Sequence, residues 1–237
     1  MAISKVRRAR GVAAGVAAVM LALLAPAGVA SAQAGPDDCV GAEAQQVALL
    51  KSDVTAWNIC RANHRDSLPT LANADLAGAN LVDANLSYAD LSHADLVGAN
   101  LADANLLRAF LTEAGLTGAS LRRATLTDAD LAGADLTHAD LLRANAAEVT
   151  LSDASLNYAN LTEAYLDTAM MARTDLLGAD LLRANLTDSF LYGAGLVRAN
   201  LTEASLRRAN LTEADLAGAI LTGTDLSGCT GNPVCTV

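Results

Sequence analysis

From Leu71 to Leu226 an aliphatic residue returns at every fifth position. Leucine holds thirty of the thirty-two slots, Ala146 and Met171 take the other two, and no insertion breaks the register. A step of five advances about 500° around an α-helix, which smears the leucines over its whole circumference, and an odd step along a flat strand flips them between faces. Neither regular element buries this set, so the chain must turn once per repeat. If five residues make one short extended side and a corner, every leucine points to a common axis and four sides close a square coil. Stacked coils of this kind form a solenoid.

The residue two before each leucine is alanine in twenty-seven of the thirty-one slots from Ala74 to Thr224; Val149, Thr174, Ser189 and Thr224 are the exceptions. Residues two apart on an extended segment share a face, so alanine and leucine both point inward. The residue between them and the two that follow face solvent, where the sequence places Asp, Asn, Thr, Ser, Arg, Glu and Gly. Constant bulk per coil explains the alternation of one small and one large residue. Val149 then compensates for the missing leucine at Ala146, and Thr174 accompanies Met171. The leucines Leu76, Leu96, Leu116, Leu136, Leu156, Leu176, Leu196 and Leu216, twenty apart, form one wall of the expected core.

Runs such as Ala79-Asn80-Leu81, Ala94-Asp95-Leu96 and Ala214-Asp215-Leu216 resemble the A(D/N)LXX signature of pentapeptide-repeat proteins over residues 69–228. The resemblance implies an all-β fold, a right-handed quadrilateral β-helix of about eight four-sided coils; the period suggests the square coil but not its hand. It implies little about function, because one fold hosts many roles. Some pentapeptide-repeat relatives bind type II topoisomerases as DNA mimics, which sets one candidate activity.

The flanks differ in composition. Lys5, Arg7, Arg8 and Arg10 precede an apolar run from about Gly11 to Ala25, and Ala30-Ser31-Ala32 or Ala32-Gln33-Ala34 offers a small-residue cleavage site. Residues 1–34 therefore read as a secretory signal, with an apolar run too short for a membrane span. Arg7-Arg8 hints at a twin-arginine route, but Ala9, Arg10 and Gly11 lack the usual apolar continuation, so general secretion is favoured. Without those four basic residues the chain carries twelve Lys and Arg against twenty-six Asp and Glu, a net charge of −14. Such a surface avoids nucleic acid and anionic lipid.

Residues 35–68 form a lead-in. Val47, Leu50, Val54 and Trp57 recur at helical spacing, which predicts one short amphipathic helix over 41–59 that covers the first coil, with Trp57 as the plug. A Trp-Asn-containing lead-in is also common in pentapeptide-repeat chains. Cys39 and Cys60 precede the repeats, and Cys229 and Cys235 fall at their end. An even cysteine count in an exported chain reads as disulfides. Eight coils at about 4.8 Å separate the two pairs by about 35–40 Å, which favours Cys39–Cys60 and Cys229–Cys235. A metal site is disfavoured because four thiols split between two ends cannot surround one ion, and His64, His93 and His138 are scattered. Residues 229–237 are expected to close as a disulfide-held C-terminal cap.

No catalytic constellation emerges, and no cofactor is expected. Neighbours such as Ser92, His93 and Asp95 are inevitable where small polar residues fill the outer positions, and Gly78, Gly98, Gly118, Gly178 and Gly218 read as corner residues rather than a phosphate loop. Asp75, Asp95, Asp135, Asp175 and Asp215 fall on one face and invite the DNA-mimic reading; the plainer one is that Asp and Asn at this position satisfy the turn. The four faces carry net charges of about −4, −4, −2 and −2, and basic residues such as Arg122, Arg123, Arg143, Arg173 and Arg208 interrupt the tracks. The second candidate is apolar: Met170, Leu177, Leu182, Phe190, Tyr192 and Val197 occupy outward slots, and Phe110 shares the column of Met170 and Phe190. The sequence therefore points to a non-enzymatic, secreted or envelope-located scaffold that binds an unidentified protein partner or itself. A topoisomerase inhibitor or protector is the alternative.

Overall fold

A computed structural model describes residues 37–236. The expected signal segment, with its cleavage site, lies outside the described residues. From Thr70 to Thr230 the chain winds in coils of twenty residues, and twenty-nine parallel bridges each join residues twenty apart, beginning with Thr70 to Asp90. One residue per side takes part in each ladder, which makes this a right-handed quadrilateral β-helix in which the corners outnumber extended residues. The four-sided core is leucine and alanine at 0–2% exposure through nearly all of its length.

Each quintet accounts for its own backbone. The Leu71 amide donates to the Asp90 carbonyl of the next coil (2.7 Å), and the corner amide of Asn73 donates to Ser92 (2.8 Å). Asp90 donates back to Pro69 (2.9 Å), and Ala74 closes the turn on Leu71 (3.1 Å). The fifth amide, one past the leucine, is met by a side chain: Asp95 Oδ1 accepts from Val97 N at 3.0 Å and Asn100 Oδ1 from Ala102 N at 3.2 Å. This Asx turn is the physical reason for Asp or Asn before leucine. It recurs at all five aspartates of the acidic track, Asp75, Asp95, Asp135, Asp175 and Asp215.

The residue two past each leucine is left-handed at every corner, with φ between +54° and +72°, and twenty-three of these thirty-two residues are not glycine. A type II-like turn requires that conformation at its third residue, and neighbouring coils hold it in place. At Gly178 a Cβ would meet Tyr158 Cε1 at 2.8 Å, so a larger residue there would require that exposed ring to move.

The core irregularities repair themselves. Ala146 and Val149 are both buried, as are Met171 and Thr174. The larger small-slot residues stretch their turns, with Val149 N to Ala146 O at 3.4 Å and Thr174 N to Met171 O at 3.3 Å. The buried hydroxyls bond to carbonyls, Thr174 Oγ1 to Leu151 O and Ser189 Oγ to Leu186 O, both at 2.7 Å. Polar atoms thus enter an aliphatic column without an unmet donor.

The lead-in holds two helices where the spacing predicts one: α1 (Glu43–Ser52) and α2 (Val54–Asn63), after a short 3-10 turn at Asp38–Val40. Asp53 breaks the run. Its backbone is extended (φ −152°, ψ 90°), and its carboxylate accepts from Ala56 N at 2.9 Å as the N-cap of α2. Trp57 is fully buried, as are Leu49 and Leu50. Cys39 is bonded to Cys60 (Cα–Cα 5.9 Å), which ties the 3-10 turn to α2, and Cys229 is bonded to Cys235 (Cα–Cα 5.3 Å) at the far end. Disulfides of this kind fit an oxidising compartment. Among the described residues no helix is long and apolar enough to cross a membrane.

Candidate interaction surface

A coil of twenty turns every outward residue into a member of a vertical column. At the corners the columns carry charge in complementary order. Arg123 donates through Nε and Nη2 to both oxygens of Asp103 (2.7 and 2.6 Å), and Arg173 does the same to Asp153 (2.7 and 2.6 Å). Arg143 reaches Glu163 and Arg183 reaches Glu203, each at 2.6 Å, and Arg208 pairs with Asp188. Every one of these pairs is twenty residues apart, one coil up or down. The guanidinium partners hold the carboxyls of Asp103, Asp153, Glu163 and Asp188 below the usual carboxylate range. Three of the four corner columns consequently carry ion-pair ladders, and the corner that follows the Asp75–Asp215 track carries none among the described residues.

Six of the seven aromatic residues sit outside this core; Trp57, in α2, is the buried one. An axis packed with alanine and leucine has no volume for a ring. Met170 and Phe190 are ladder partners on adjacent coils, and the Phe190 ring stacks with that of Tyr192 (centroids 6.2 Å apart, planes at 13°). The Tyr192 phenol is raised above its ordinary range, first by its hydrogen bond to Glu213. Met170, Phe190 and Tyr192 are therefore contiguous. Phe110 lies in the same column but is separated from Met170 by Asp130 and Thr150, and is half exposed.

The other candidates disperse. Leu177 and Val197 stack on the next corner, beside the column of His138 and Tyr158, whose rings stack at 5.3 Å. Leu182 occupies the corner diagonally opposite Tyr192, and both it and the Leu177 pair are half-buried. Tyr158 and Tyr165, which the sequence did not single out, are exposed at 55% and 54%. Among the described residues no group of three or more His, Cys, Asp and Glu is placed to hold a metal.

A stack of right-handed four-sided coils with a helical lid and outward-facing columns of side chains is a quadrilateral β-helix. The pentapeptide-repeat family model, described as "Pentapeptide repeats", matches in eight copies across residues 70–230, and the chain belongs to that family. Among solved structures, the chain resembles QnrB1, a plasmid-mediated fluoroquinolone resistance protein, at 20% identity over 68% of this chain and 80% of that one, with a TM-score of 0.53. HetL, a pentapeptide repeat protein involved in heterocyst differentiation regulation from Nostoc sp. strain PCC 7120, is 34% identical over 69% of this chain and 90% of its own, TM-score 0.24. Rfr23 from the cyanobacterium Cyanothece 51142 is also 34% identical, over 45% of this chain and 66% of its own, TM-score 0.26. No match is found among the curated proteins.

Proposed function

We propose that the chain is exported by its N-terminal segment and works without catalysis or cofactor, as a rigid scaffold that docks a protein partner or a second copy of itself. The contiguous Met170–Phe190–Tyr192 cluster carries this reading: Met170 is exposed, and the half-buried Phe190 and Tyr192 rings stack beside it on the same face. Two disulfides at the ends support an oxidising destination. Phe190→Asp combined with Tyr192→Ser leaves the core untouched. It should abolish capture of partners from secreted and envelope fractions, or reduce the mass measured by light scattering if the partner is another copy; unchanged capture and mass overturn the proposal. N-terminal sequencing of protein from culture supernatant should find a start near Gln33 or Gly35.

Action on a type II topoisomerase is the second reading, brought by the resemblance to pentapeptide-repeat proteins, some of which bind such enzymes. Against it stand the five track aspartates, which turn Oδ1 to their own backbones, and the uncharged Gly115, Ser155 and Gly195 that interrupt their column. Gyrase supercoiling should proceed unchanged in the presence of the protein; a block would reverse the order of the two readings.

A further inference from the structure

Where α2 meets the first coil, a pocket of about 340 Å³ is lined by Arg61, Ala62, Arg65, Asn85, Ser87 and Tyr88. Its two ionised residues are both arginines, and no acid lines it, although the whole chain carries ten more negative than positive charges. Arg61 is only 4% exposed. Its two terminal nitrogens donate to the carbonyls of Ser67 and Ser87, and its Nε has no acceptor among the described residues. Eight of the eleven described arginines pair with a carboxylate within 4 Å; Arg61 and Arg65 do not. Burial without a counter-charge pulls the Arg61 guanidinium below its ordinary range. A buried cation bonded only to neutral carbonyls leaves an electrostatic deficit that an anion at the pocket would remove.

We propose that this pocket binds a phosphate group, with the exposed Arg65 guanidinium and the Tyr88 hydroxyl in contact and Arg61 supplying the field from the wall behind them; the Ser87 hydroxyl, which donates to Asn85 Oδ1 at 2.7 Å, would turn from that acceptor to the anion. Two guanidiniums match the charge of a phosphate dianion, and hydroxyl donors complete a tetrahedral oxyanion's acceptors. The size fits a small molecule or a phosphorylated group. Because Asn85 and Ser87 belong to the first coil while Arg61 and Arg65 belong to the lid and its exit, occupancy would bolt the lid to the coil.

Trp57 reports on the site directly. It is the single tryptophan of the chain, it lies one helical turn before Arg61, and its Nε1 donates to the Asn85 carbonyl at 2.9 Å. Titrating the disulfide-intact protein with inorganic phosphate at constant ionic strength should change Trp57 fluorescence saturably and raise the melting temperature. Arg65→Gln, at an exposed position, should weaken the response by at least about tenfold, while Arg198→Gln, an unpaired arginine far from the pocket, should leave it intact. A phosphomonoester such as glycerol phosphate that binds more tightly than phosphate identifies a phosphorylated molecule as the source; equal or weaker binding identifies the free ion. Equal responses to chloride or acetate, an unaltered response in Arg65→Gln, or no saturable change at about 10 mM phosphate would each overturn the proposal.

Discussion

The two ends of the repeat body solve the same problem to different depths. The first coil presents an open edge of backbone groups, and the lid meets it with side chains: Gln46 bonds the amide of Thr70 (3.0 Å), Asn58 bonds the amide of Asn85 (2.7 Å) and the carbonyl of Asp83 (2.9 Å), Trp57 bonds the Asn85 carbonyl, and Lys51 the Asp75 carbonyl (2.9 Å). The last coil has a seven-residue disulfide loop and a 3-10 turn at Pro233–Thr236, with Asn232 donating to the Ala214 carbonyl (2.9 Å). Leu76 and Leu81 are wholly buried, whereas Leu216, Leu221 and Leu226, like Val234 and Cys235, pack on the core but remain partly exposed. A square coil thus needs polar side chains at its edge as much as apolar cover over its axis, and the N-terminal end supplies more of both.

The sharpest test of that asymmetry is the plug. Trp57→Ala should cost about 3–5 kcal/mol in denaturant unfolding and open the first coil. Leucine truncation comes next: Leu76→Ala should cost about 2–5 kcal/mol, and Leu226→Ala clearly less because its side chain already meets solvent. Equal losses at both positions would erase the distinction between the ends. Removing the Cys39–Cys60 bond, which closes the longer loop, should cost about 3 kcal/mol against about 2 kcal/mol for Cys229–Cys235, measured as separate Cys→Ser pairs. Amide exchange should run fastest in the last coil, where the amides of Leu216, Leu221 and Leu226 have no coil beyond them to accept; protection equal to that of Leu116 or Leu136 would show the C-terminal cap to be complete.

The smallest effect concerns the corner ladders rather than the ends. Asp103, Asp153, Glu163 and Asp188 have folded pKa values below their unfolded ones, so their contribution is present above the ordinary carboxylate range and disappears as pH falls through and below it. Melting temperature should drop modestly on acidification below about pH 4, and added salt at neutral pH should shrink that dependence.

Much of this could be read along the chain. The five-residue return of leucine with alanine two before it states which residues face in, where the chain turns and how the core holds constant bulk. The Asx role of Asp and Asn also follows from local chemistry, since donor and acceptor lie two residues apart. The break between α1 and α2 was legible as well, in Asp53 ahead of Val54-Thr55-Ala56, but the helical spacing of Val47, Leu50, Val54 and Trp57 runs through it and masks it.

What local sequence determined, then, is the quintet with its inward pair and its turn, because the relations that make it span five residues or fewer. Pairings at a distance of twenty, such as Arg123 with Asp103 or Arg173 with Asp153, form only once four sides close a coil, and no single quintet contains that number. The same holds for Arg61, an ordinary helical arginine in the sequence. It becomes a buried charge without a carboxylate only when the lid closes over Ser67 and Ser87, because burial and charge balance are properties of the assembled packing.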